Sequence, residues 1–245
     1  MEEWLVRTEL MLGSDILARM KRARVAVIGL GGVGAYAAEM IARAGIGSML
    51  ILDSDVVNPS NKNRQLLALD STLGKRKAEI MASRLKDINP EIELTIVTEY
   101  LTDENVGRLL EGAKIDYLVD AIDTLSPKIA LIKYSLSNGI PIVSSMGAGA
   151  KLDATKLEIA DISKSYNCPL AYMLRKRLRK EGISKGFKVV FSKELPDAEA
   201  IVPVEEQNKK SMVGTISYLP AAFGLLCAQV AIRHFTDTCG ENENY

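Results

Sequence analysis

The sequence predicts an α/β fold, doubly wound around a mostly parallel sheet and followed by a C-terminal extension of strands and a helix. Three observations predict this class. Short runs rich in β-branched and aliphatic residues alternate with segments whose apolar residues have helical spacing. The runs are apolar throughout, which is typical of parallel strands buried on both faces. The first run ends in a glycine-rich loop that opens a helix.

The first part of the chain alternates strands with helices. Strands are expected at 24–29, 49–53, 93–97, 117–121 and 140–145. Helices are expected from near Ser14, at 35–44, at 75–88, after Thr102, and from about 127 to 138. Thr102 is a candidate helix cap. Ser126 and Pro127 place a cap and a first-turn proline before the last of these helices.

The pattern changes after Gly149. Further strands are expected at 157–161 and 187–192, on either side of a basic helix at 169–181. The segment 193–212 is charged and contains prolines, which predicts a mobile loop. The segment 219–232 is apolar apart from Gln229. A membrane-spanning helix needs roughly 20 apolar residues, so we expect a buried helix here instead.

Composition narrows the function classes. Lys plus Arg and Asp plus Glu both number 31 in 245 residues, so net charge favours neither a nucleic-acid nor a membrane partner. Cys168, Cys227 and Cys239 are far apart and form no CxxC pair, which excludes an evident zinc ribbon and argues against a disulfide framework. The first residues lack the pattern of a signal peptide. We therefore expect a cytoplasmic, reducing environment.

The loop after the first strand has the pattern of a nucleotide-binding site. Its glycines are Gly29, Gly31, Gly32 and Gly34. Glycines let the backbone approach a phosphate, which then meets free N–H groups at the start of the next helix. Asp53 ends the second strand, where a carboxylate can accept hydrogen bonds from ribose hydroxyls. This Rossmann-like pattern alone favours an NAD-dependent oxidoreductase.

Polar residues downstream favour ATP instead. A polar cluster follows the second strand and consists of Asp55, Asn61, Asn63, Arg64 and Gln65. Lys77 follows in GKRKAEI, and Asp123 stands beyond the fourth strand. A triphosphate needs more cations than a dinucleotide, and it is usually bound with Mg²⁺ held by a carboxylate. Arg64, Lys77 and Asp123 supply that set, and Asp55 and Asn61 are further candidate nucleotide ligands.

The motifs together resemble a known superfamily. They are RTELMLG, GLGGVG, LILDSDVVNPSNKNRQ, LGKRKAE, VDAIDT and IPIVSSMGAG. In this order and spacing they resemble the ubiquitin-activating-enzyme-like superfamily, which includes adenylating enzymes of thiamine and molybdopterin synthesis. The resemblance is closest to the tRNA-modifying dehydratase branch and continues through ADISKSYNCPLAYMLRKRLRKEGISKGFKVVFS. It implies one domain over 1–245, with an ATP-binding part at 14–149 and a substrate side at 150–245.

The resemblance also implies residue roles. The glycine-rich loop lines the ATP phosphates and Asp53 binds the ribose. Arg64 and Lys77 contact phosphates, whereas Asp123 serves Mg²⁺ and the reacting centre. Arg7 matches an N-terminal arginine that reaches the ATP of a neighbouring subunit. This implies a homodimer in which each site is completed in trans.

Departures from relatives refine the expected chemistry. Relatives that activate sulfur carriers often hold zinc with two CxxC pairs, which this chain lacks. Cys168 and Cys227 are interpreted as buried or incidental, because a nucleophilic thiol needs exposure and a positive environment. His234 is interpreted as a helix-end residue and not as a catalytic base.

The implied reaction is ATP-dependent cyclisation of threonylcarbamoyladenosine in tRNA, next to the anticodon. The threonyl carboxylate is adenylated, and the neighbouring carbamoyl group then closes a ring and expels AMP. A sulfur-transfer protein remains open as an assisting partner. A basic cluster is either an ordinary solvated helix face or a tRNA contact, and consists of Arg175, Lys176, Arg177, Arg179, Lys180, Lys185 and Lys188.

Three alternative functions stay open at this level. An adenylyltransferase for a ubiquitin-like sulfur carrier predicts ATP–pyrophosphate exchange driven by a protein that ends in Gly-Gly. An NAD-dependent oxidoreductase predicts the absorbance of reduced cofactor and no need for Mg²⁺. A nucleotide-sensing scaffold predicts ATP binding without turnover.

Overall fold

The computed structural model describes residues 2–206 and 209–237. The strands of these residues are β1 (Arg24–Ile28), β2 (Ser48–Leu52), β3 (Glu93–Val97), β4 (Tyr117–Asp120), β5 (Ile142–Ser145), β6 (Leu157–Asp161), β7 (Lys188–Ser192), β8 (Ile201–Glu206) and β9 (Lys209–Val213). The helices are α1 (Val6–Leu12), α2 (Ser14–Arg22), α3 (Gly34–Arg43), α4 (Lys77–Ile88), α5 (Val106–Leu110), α6 (Leu125–Ser137), α7 (Pro169–Lys180) and α8 (Tyr218–Thr236).

One seven-stranded sheet organises the protein, with the strand order β3-β2-β1-β4-β5-β7-β6. The pairs from β3 through β7 are parallel, and β6 joins the edge antiparallel to β7. The first five strands therefore have the order of a dinucleotide-binding fold. The predicted mostly parallel sheet with a C-terminal extension is confirmed.

Each face of the sheet carries its own apolar core. Residues of α2, α3, α4 and α8 pack on one face, together with Val25, Val27 and Ile51 from the strands. Residues of α5, α6 and α7 pack on the other face, together with Ala26, Ile28 and their neighbours. Side chains alternate in direction along a strand, so strands buried on both faces must be apolar at every position. The expected double winding is confirmed.

Helix α8 is a core helix, as expected. Its residues Leu219, Phe223, Cys227 and Ala231 are buried on one stripe with helical spacing. A Cβ atom added to Gly224 would lie 2.4 Å from the carbonyl oxygen of Val33, so the glycine lets α8 approach the start of α3. In the described part of the chain, none of the helices has the length and hydropathy needed to span a bilayer.

The structure corrects several expectations. The segment 193–212 is no loop throughout, because β8 and β9 pair there as an antiparallel hairpin. Thr102 caps no helix; the following helix, α5, begins later, after Asn105. Helix α6 begins at Leu125 after Thr124, so Pro127 is its third residue. The helix α1 was not expected at all. Cys239 lies outside the described residues.

Candidate active site

The candidate site lies where the sheet reverses its winding. β1 and β4 are neighbours, and the helices that follow them, α3 and α6, pack on opposite faces. Their connections therefore diverge and leave a crevice at the carboxyl ends of the two strands, which is where ligands bind in such sheets. The glycine-rich loop follows β1, Asp53 follows β2, and Asp123 follows β4.

The glycines of the loop have different reasons to be glycine. Gly29 has a φ of +89°, and a Cβ atom there would lie 2.9 Å from the carbonyl oxygen of Ala121. A Cβ atom on Gly34 would lie 1.7 Å from the carbonyl oxygen of Gly29. These two glycines are required by the fold itself. Gly31 is different, since its Cβ atom would meet only the Gln65 side chain, at 3.7 Å.

Asp53 is buried beside the loop. Its Oδ2 accepts a hydrogen bond from the Leu30 N–H (2.6 Å), and its Oδ1 accepts one from the Asp55 N–H (2.8 Å). Burial raises the pKa of Asp53 above 3.8, and the nearby charge of Lys77 and these two hydrogen bonds oppose that shift. Each carboxylate oxygen keeps acceptor capacity for a ribose hydroxyl. The role of Asp53 at a ribose site stays a prediction.

Lys77 brings a positive charge to the same edge. It is the first residue of α4 and is only 4 % exposed. Its Nζ lies 2.9 Å from the Asp55 Oδ2, and its N–H donates to the Asp55 carbonyl (3.0 Å). Asp55 is exposed. The ion pair therefore fixes the buried Lys77 ammonium near Asp53, and the ammonium has further N–H groups that a phosphate can accept from.

Arg64 lies across the glycine-rich loop. Its Cγ is 3.5 Å from the position that a Cβ atom on Gly32 would take. Its Nη1 donates to the Ser60 carbonyl (3.1 Å) and to the Asn63 Oδ1 (2.8 Å). Asn63 in turn donates to the carbonyl of Thr215 (2.9 Å). The guanidinium is thus held over the loop, while its other N–H groups keep capacity for phosphate oxygens.

Asn61 shapes the turn that carries Arg64. It is buried, and its Oδ1 accepts from the Asn58 N–H (3.1 Å). Its carbonyl accepts from the N–H groups of Arg64 (3.1 Å) and Gln65 (2.9 Å). The sequence assigned Asn61 to nucleotide binding, and the structure gives it this positioning contact.

Gln65 carries a buried polar atom that no described residue satisfies. Its Oε1 is buried and has no hydrogen-bond partner among the described residues. Its amide also faces Gly31, where the loop has room for a Cβ atom. A buried polar atom without a partner is costly, so such atoms often mark bound ligands. A phosphate accepts hydrogen bonds, so it fits the N–H groups at the start of α3, the open backbone at Gly31 and the Gln65 Nε2 that faces it. The unpartnered Oε1 fits a donor instead, such as a water or a ligand hydroxyl.

A buried network that the sequence reasoning missed supports the Asp123 loop. Asp120, Lys128 and Ser144 have no exposed surface. The Lys128 Nζ lies 2.6 Å from the Asp120 Oδ2, and the Ser144 hydroxyl donates to the same oxygen (2.5 Å). The Asp120 Oδ1 accepts from the Ile122 N–H (3.0 Å) and so fixes the backbone just before Asp123. A lysine inside the apolar run of α6 was the available signal.

Asp123 is exposed at the crevice and forms an interaction within the described structure. No group of three or more His, Cys, Asp or Glu side chains in residues 2–206 and 209–237 could hold a metal by itself. Mg²⁺ commonly binds through one or two carboxylates together with substrate phosphates. The site therefore fits Mg²⁺ as a companion of a bound triphosphate and not as a metal in a protein cage.

Arg7 is the predicted site residue that its own chain does not bring to the crevice. It is exposed on α1. Leu5, two residues earlier, lies 3.2 Å from the position of a Cβ atom on Gly45. Gly45 follows the C-terminal end of α3, whereas the glycine-rich loop precedes its N-terminal end. The N-terminal segment thus packs at the opposite edge of the sheet.

Two thiols and the histidine are described by the structure, and all three lie in packed surroundings. Cys168 and Cys227 are both buried, as expected. Burial raises the pKa of the Cys227 thiol to about 12. His234 lies in the last turn of α8, with its ring centroid 5.0 Å from that of Tyr117 at the start of β4. Burial lowers the pKa of His234. Because Tyr117 begins β4, His234 lies at the amino ends of the strands, opposite the candidate site.

Comparisons with known proteins agree along almost the whole chain. Residues 6–245 match the model of the ThiF family. The tRNA threonylcarbamoyladenosine dehydratase of Bacillus subtilis is 47% identical over 190 residues, which cover 78% of this chain and 74% of the relative. The crystal structure of the Escherichia coli tRNA N6-threonylcarbamoyladenosine dehydratase in complex with ATP has a TM-score of 0.87 at 35% identity and covers 96% of each chain. The molybdopterin-synthase adenylyltransferase of E. coli is 33% identical over only 61% of this chain.

Proposed function

The chain belongs to the ThiF family, and we propose that it uses ATP to dehydrate threonylcarbamoyladenosine next to the anticodon of tRNA. The observation that carries this proposal is the likeness to the ATP-bound dehydratase of E. coli over 96% of both chains. That likeness covers the substrate side as well as the nucleotide-binding half. The sulfur-carrier adenylyltransferases share a smaller part of the chain.

The reaction proceeds by activation of a carboxylate. The threonyl carboxylate attacks the α-phosphorus of ATP, and pyrophosphate leaves with the electrons of the broken phosphoanhydride bond. The carbamoyl group of the same side chain then attacks the acyl carbon of the adenylate and expels AMP. The carboxylate oxygen leaves with AMP, so the nucleoside loses the elements of one water. Because the second attack is intramolecular, proximity replaces an enzyme nucleophile.

The side chains of the crevice bind and align the reactants in this proposal. The glycine-rich loop and Gln65 take the phosphates, and Asp53 takes the ribose. Arg64 and Lys77 neutralise charge on the phosphates, which is the main way that proteins accelerate such transfers. Mg²⁺, held by Asp123 and the phosphates, would supply further charge neutralisation when bound.

The larger organisation is part of the same proposal. Residues 14–149 are the ATP-binding part and residues 150–245 the substrate side of one domain over 1–245. The protein acts in the cytoplasm as a homodimer in which Arg7 completes the partner's site. The distance of the N-terminal segment from its own glycine-rich loop supports that assignment. A sulfur-transfer protein as a further partner stays a prediction.

A mass measurement tests the activity. The protein is incubated with ATP, Mg²⁺ and tRNA that contains threonylcarbamoyladenosine, and the digested nucleosides are weighed. We expect the modified nucleoside to lose the mass of one water while AMP accumulates. α,β-Methylene ATP is the matched control, because it binds as ATP does but cannot release pyrophosphate. An unchanged nucleoside, together with pyrophosphate exchange driven by a protein ending in Gly-Gly, would favour the sulfur-carrier alternative.

A further inference from the structure

One surface of the substrate side concentrates positive charge. Between Ile162 and Lys188 the only acidic residue is Glu181, although the whole chain has equal numbers of acidic and basic residues. The Glu181 carboxylate lies 3.4 Å from the Lys133 Nζ, so its charge is engaged. We call one side of α7 the basic surface, and define it by Tyr172, Lys176, Arg179 and Lys180; Arg177 is exposed on the neighbouring side of the helix.

The packing of α7 fixes which side chains form this surface. Ala171, Leu174 and Leu178 are buried against the core. Arg175 donates to the carbonyl and the hydroxyl of Ser165, which anchors the helix to the preceding turn. Arg175 therefore belongs to the fold, although the sequence grouped it with the cluster.

The cations of the basic surface differ from Arg175 in their surroundings. Lys176, Arg179 and Lys180 are exposed, and within residues 2–206 and 209–237 no acidic side chain forms an ion pair with them. Lys164 lies on the loop before the helix and Lys185 on the loop after it, and both extend the positive charge. A hydrogen bond from the Gly186 N–H to the Asp161 Oδ2 (2.8 Å) joins these two loops. The cations therefore outnumber the two nearby carboxylates, Asp161 and Glu181, and each carboxylate is already engaged by a hydrogen bond or an ion pair.

An aromatic ring lies within this charge. Tyr172, Lys176 and Lys180 are spaced by four residues and share one side of α7. Tyr172 is 58 % exposed. A single exposed ring is common on a solvated helix, so the observation that counts is its place among cations. An RNA-binding surface uses both, because cations neutralise phosphates and aromatic rings stack on unpaired bases.

The position of α7 connects the basic surface to the candidate active site. The helix begins after Cys168, whose Sγ lies 3.6 Å from the position of a Cβ atom on Gly147. Gly147 follows β5, at the same edge of the sheet as the glycine-rich loop. A helix of 12 residues is about 18 Å long at a rise of ~1.5 Å per residue. An RNA bound along α7 would therefore have one part beside the carboxyl ends of the strands, where the candidate active site lies.

We propose that the basic surface binds the anticodon arm of the substrate tRNA. Lys176, Arg179 and Lys180 contact its phosphates, and Tyr172 stacks on an unpaired base near the modified nucleoside. This inference rests on the proposed function for the identity of the RNA. It adds the surface and the residues that hold the RNA.

The first test measures binding of an anticodon stem–loop RNA without the modification, so that no chemistry occurs. We expect the triple variant Lys176→Gln/Arg179→Gln/Lys180→Gln to bind the RNA roughly tenfold more weakly or worse. The slope of the logarithm of the binding constant against the logarithm of salt concentration should become shallower by about 0.7 for each phosphate that the variant no longer neutralises. The control Arg22→Gln/Lys86→Gln/Lys114→Gln removes the same charge from exposed residues elsewhere. ATP affinity should be unchanged in both triple variants.

The second test isolates the ring. Tyr172→Leu should weaken binding by roughly tenfold, since base stacking on an aromatic side chain has about that effect. Tyr172→Phe keeps the ring and should bind like the wild type. Equal binding by Tyr172→Leu would leave no stacking contact and would overturn that part of the proposal.

The outcomes separate this inference from the proposed function. Undetectable binding by the wild type, or equal loss in both triple variants, would overturn the basic surface. So would binding to anionic phospholipid vesicles that is tighter than binding to RNA and is lost in the first triple variant. Dehydration with an unchanged KM for tRNA in that variant would keep the function and refute the surface. Surface-dependent RNA binding without dehydration would do the reverse.

Discussion

The glycine-rich loop shows, at the level of single residues, how fold and function divide one motif. Gly29 and Gly34 have no space for a Cβ atom because protein backbone already occupies it. Gly31 has that space, since its nearest neighbour is the end of a flexible side chain. Its lack of a side chain therefore has no cause within the described structure. The proposed phosphate site accounts for it, because a phosphate there must approach the backbone closely.

This division predicts opposite behaviour of two alanine variants. Gly31→Ala should change the free energy of unfolding by less than about 0.5 kcal/mol. It should weaken ATP binding roughly tenfold or more, the equivalent of about 1.4 kcal/mol. Gly34→Ala should instead destabilise the fold by about 3 kcal/mol or more, the upper end of overpacking costs. Thermal unfolding and calorimetric titration with ATP measure both effects. Wild-type ATP affinity in Gly31→Ala would exclude a phosphate at this position.

Asp123 lies on a loop that the protein holds from below. Asp120 fixes the N–H of Ile122 and is itself fixed by Lys128 and Ser144. The backbone that carries Asp123 is thus set by buried contacts that do not involve the Asp123 side chain. A substitution of Asp123 should therefore leave the fold intact.

We expect Asp123→Ala to lose on the order of a hundredfold or more in dehydration rate, because it removes charge stabilisation at the reacting phosphate. Its melting temperature should stay close to that of the wild type. Asp87→Ala is the matched control, since Asp87 is an exposed carboxylate on α4. AMP production is the measurement. A folded Asp123→Ala protein that forms AMP at the normal rate would show that the metal and catalytic role is misassigned.

Among the elements, α3 and α4 are joined by an ion pair whose carboxylate is buried. Glu39 on α3 is buried and accepts hydrogen bonds from Arg43 (2.9 Å) and from Arg84 on α4. Burial acts to raise the pKa of Glu39, but the two arginines more than offset it and hold the pKa below 4.5. Because α3 begins at the glycine-rich loop and α4 at Lys77, this contact also links two parts of the candidate site.

The direction of this shift fixes how the contact depends on pH. A depressed pKa means that the carboxylate stabilises the fold fully above pH 4.5, and that this stability is lost as the pH falls through the folded-state pKa. Glu39→Gln should therefore destabilise the protein at neutral pH by about 1–2 kcal/mol. The difference from the wild type should shrink below pH 4.5. Denaturant unfolding at several pH values measures it, with Glu79→Gln on the exposed part of α4 as control. A difference independent of pH would refute an ionic origin.

The elements that the sequence predicted well are those with a clear apolar pattern. The buried strands are short runs that are apolar throughout, α4 has apolar residues at helical spacing, and α8 is an apolar run too short to span a membrane. The hairpin of β8 and β9 was missed because charge dominates the segment, and its few β-branched residues form no long run. Thr102 was misjudged because a capping residue predicts a helix start only if the backbone turns at that residue.

At the scale of the whole molecule, the sequence predicted which loops converge but not every side chain that supports them. Residues carried on loops after successive strands could be predicted to converge, because the carboxyl ends of parallel strands share one edge. The Asp120–Lys128–Ser144 network could not, because burial of a lysine depends on packing that periodicity does not encode. The unpartnered Oε1 of Gln65 likewise becomes visible only when its neighbours are in place.

The N-terminal segment that carries Arg7 lies away from the glycine-rich loop of its own chain. Its helix packs on α2, and the segment before it contacts Gly45, at the far end of α3 from the glycine-rich loop. At that position Arg7 is poorly placed to contact a nucleotide bound at the glycine-rich loop of its own chain. A two-fold symmetric dimer can bring it to the partner's site, where a guanidinium pairs with phosphate oxygens.

We therefore expect Arg7→Ala to be nearly inactive yet dimeric, whereas Arg22→Ala, another exposed arginine, should be nearly as active as the wild type. Mixing Arg7→Ala with inactive Asp123→Ala should restore activity, because a mixed dimer can assemble one site that holds both Arg7 and Asp123. With random exchange about half of the dimers are mixed and each has one intact site, so the recovered activity should approach about a quarter of the wild-type value. AMP formation after subunit exchange, verified by mass spectrometry of intact dimers, measures the recovery. An exchanged mixture that stays inactive would place Arg7 in the site of its own subunit.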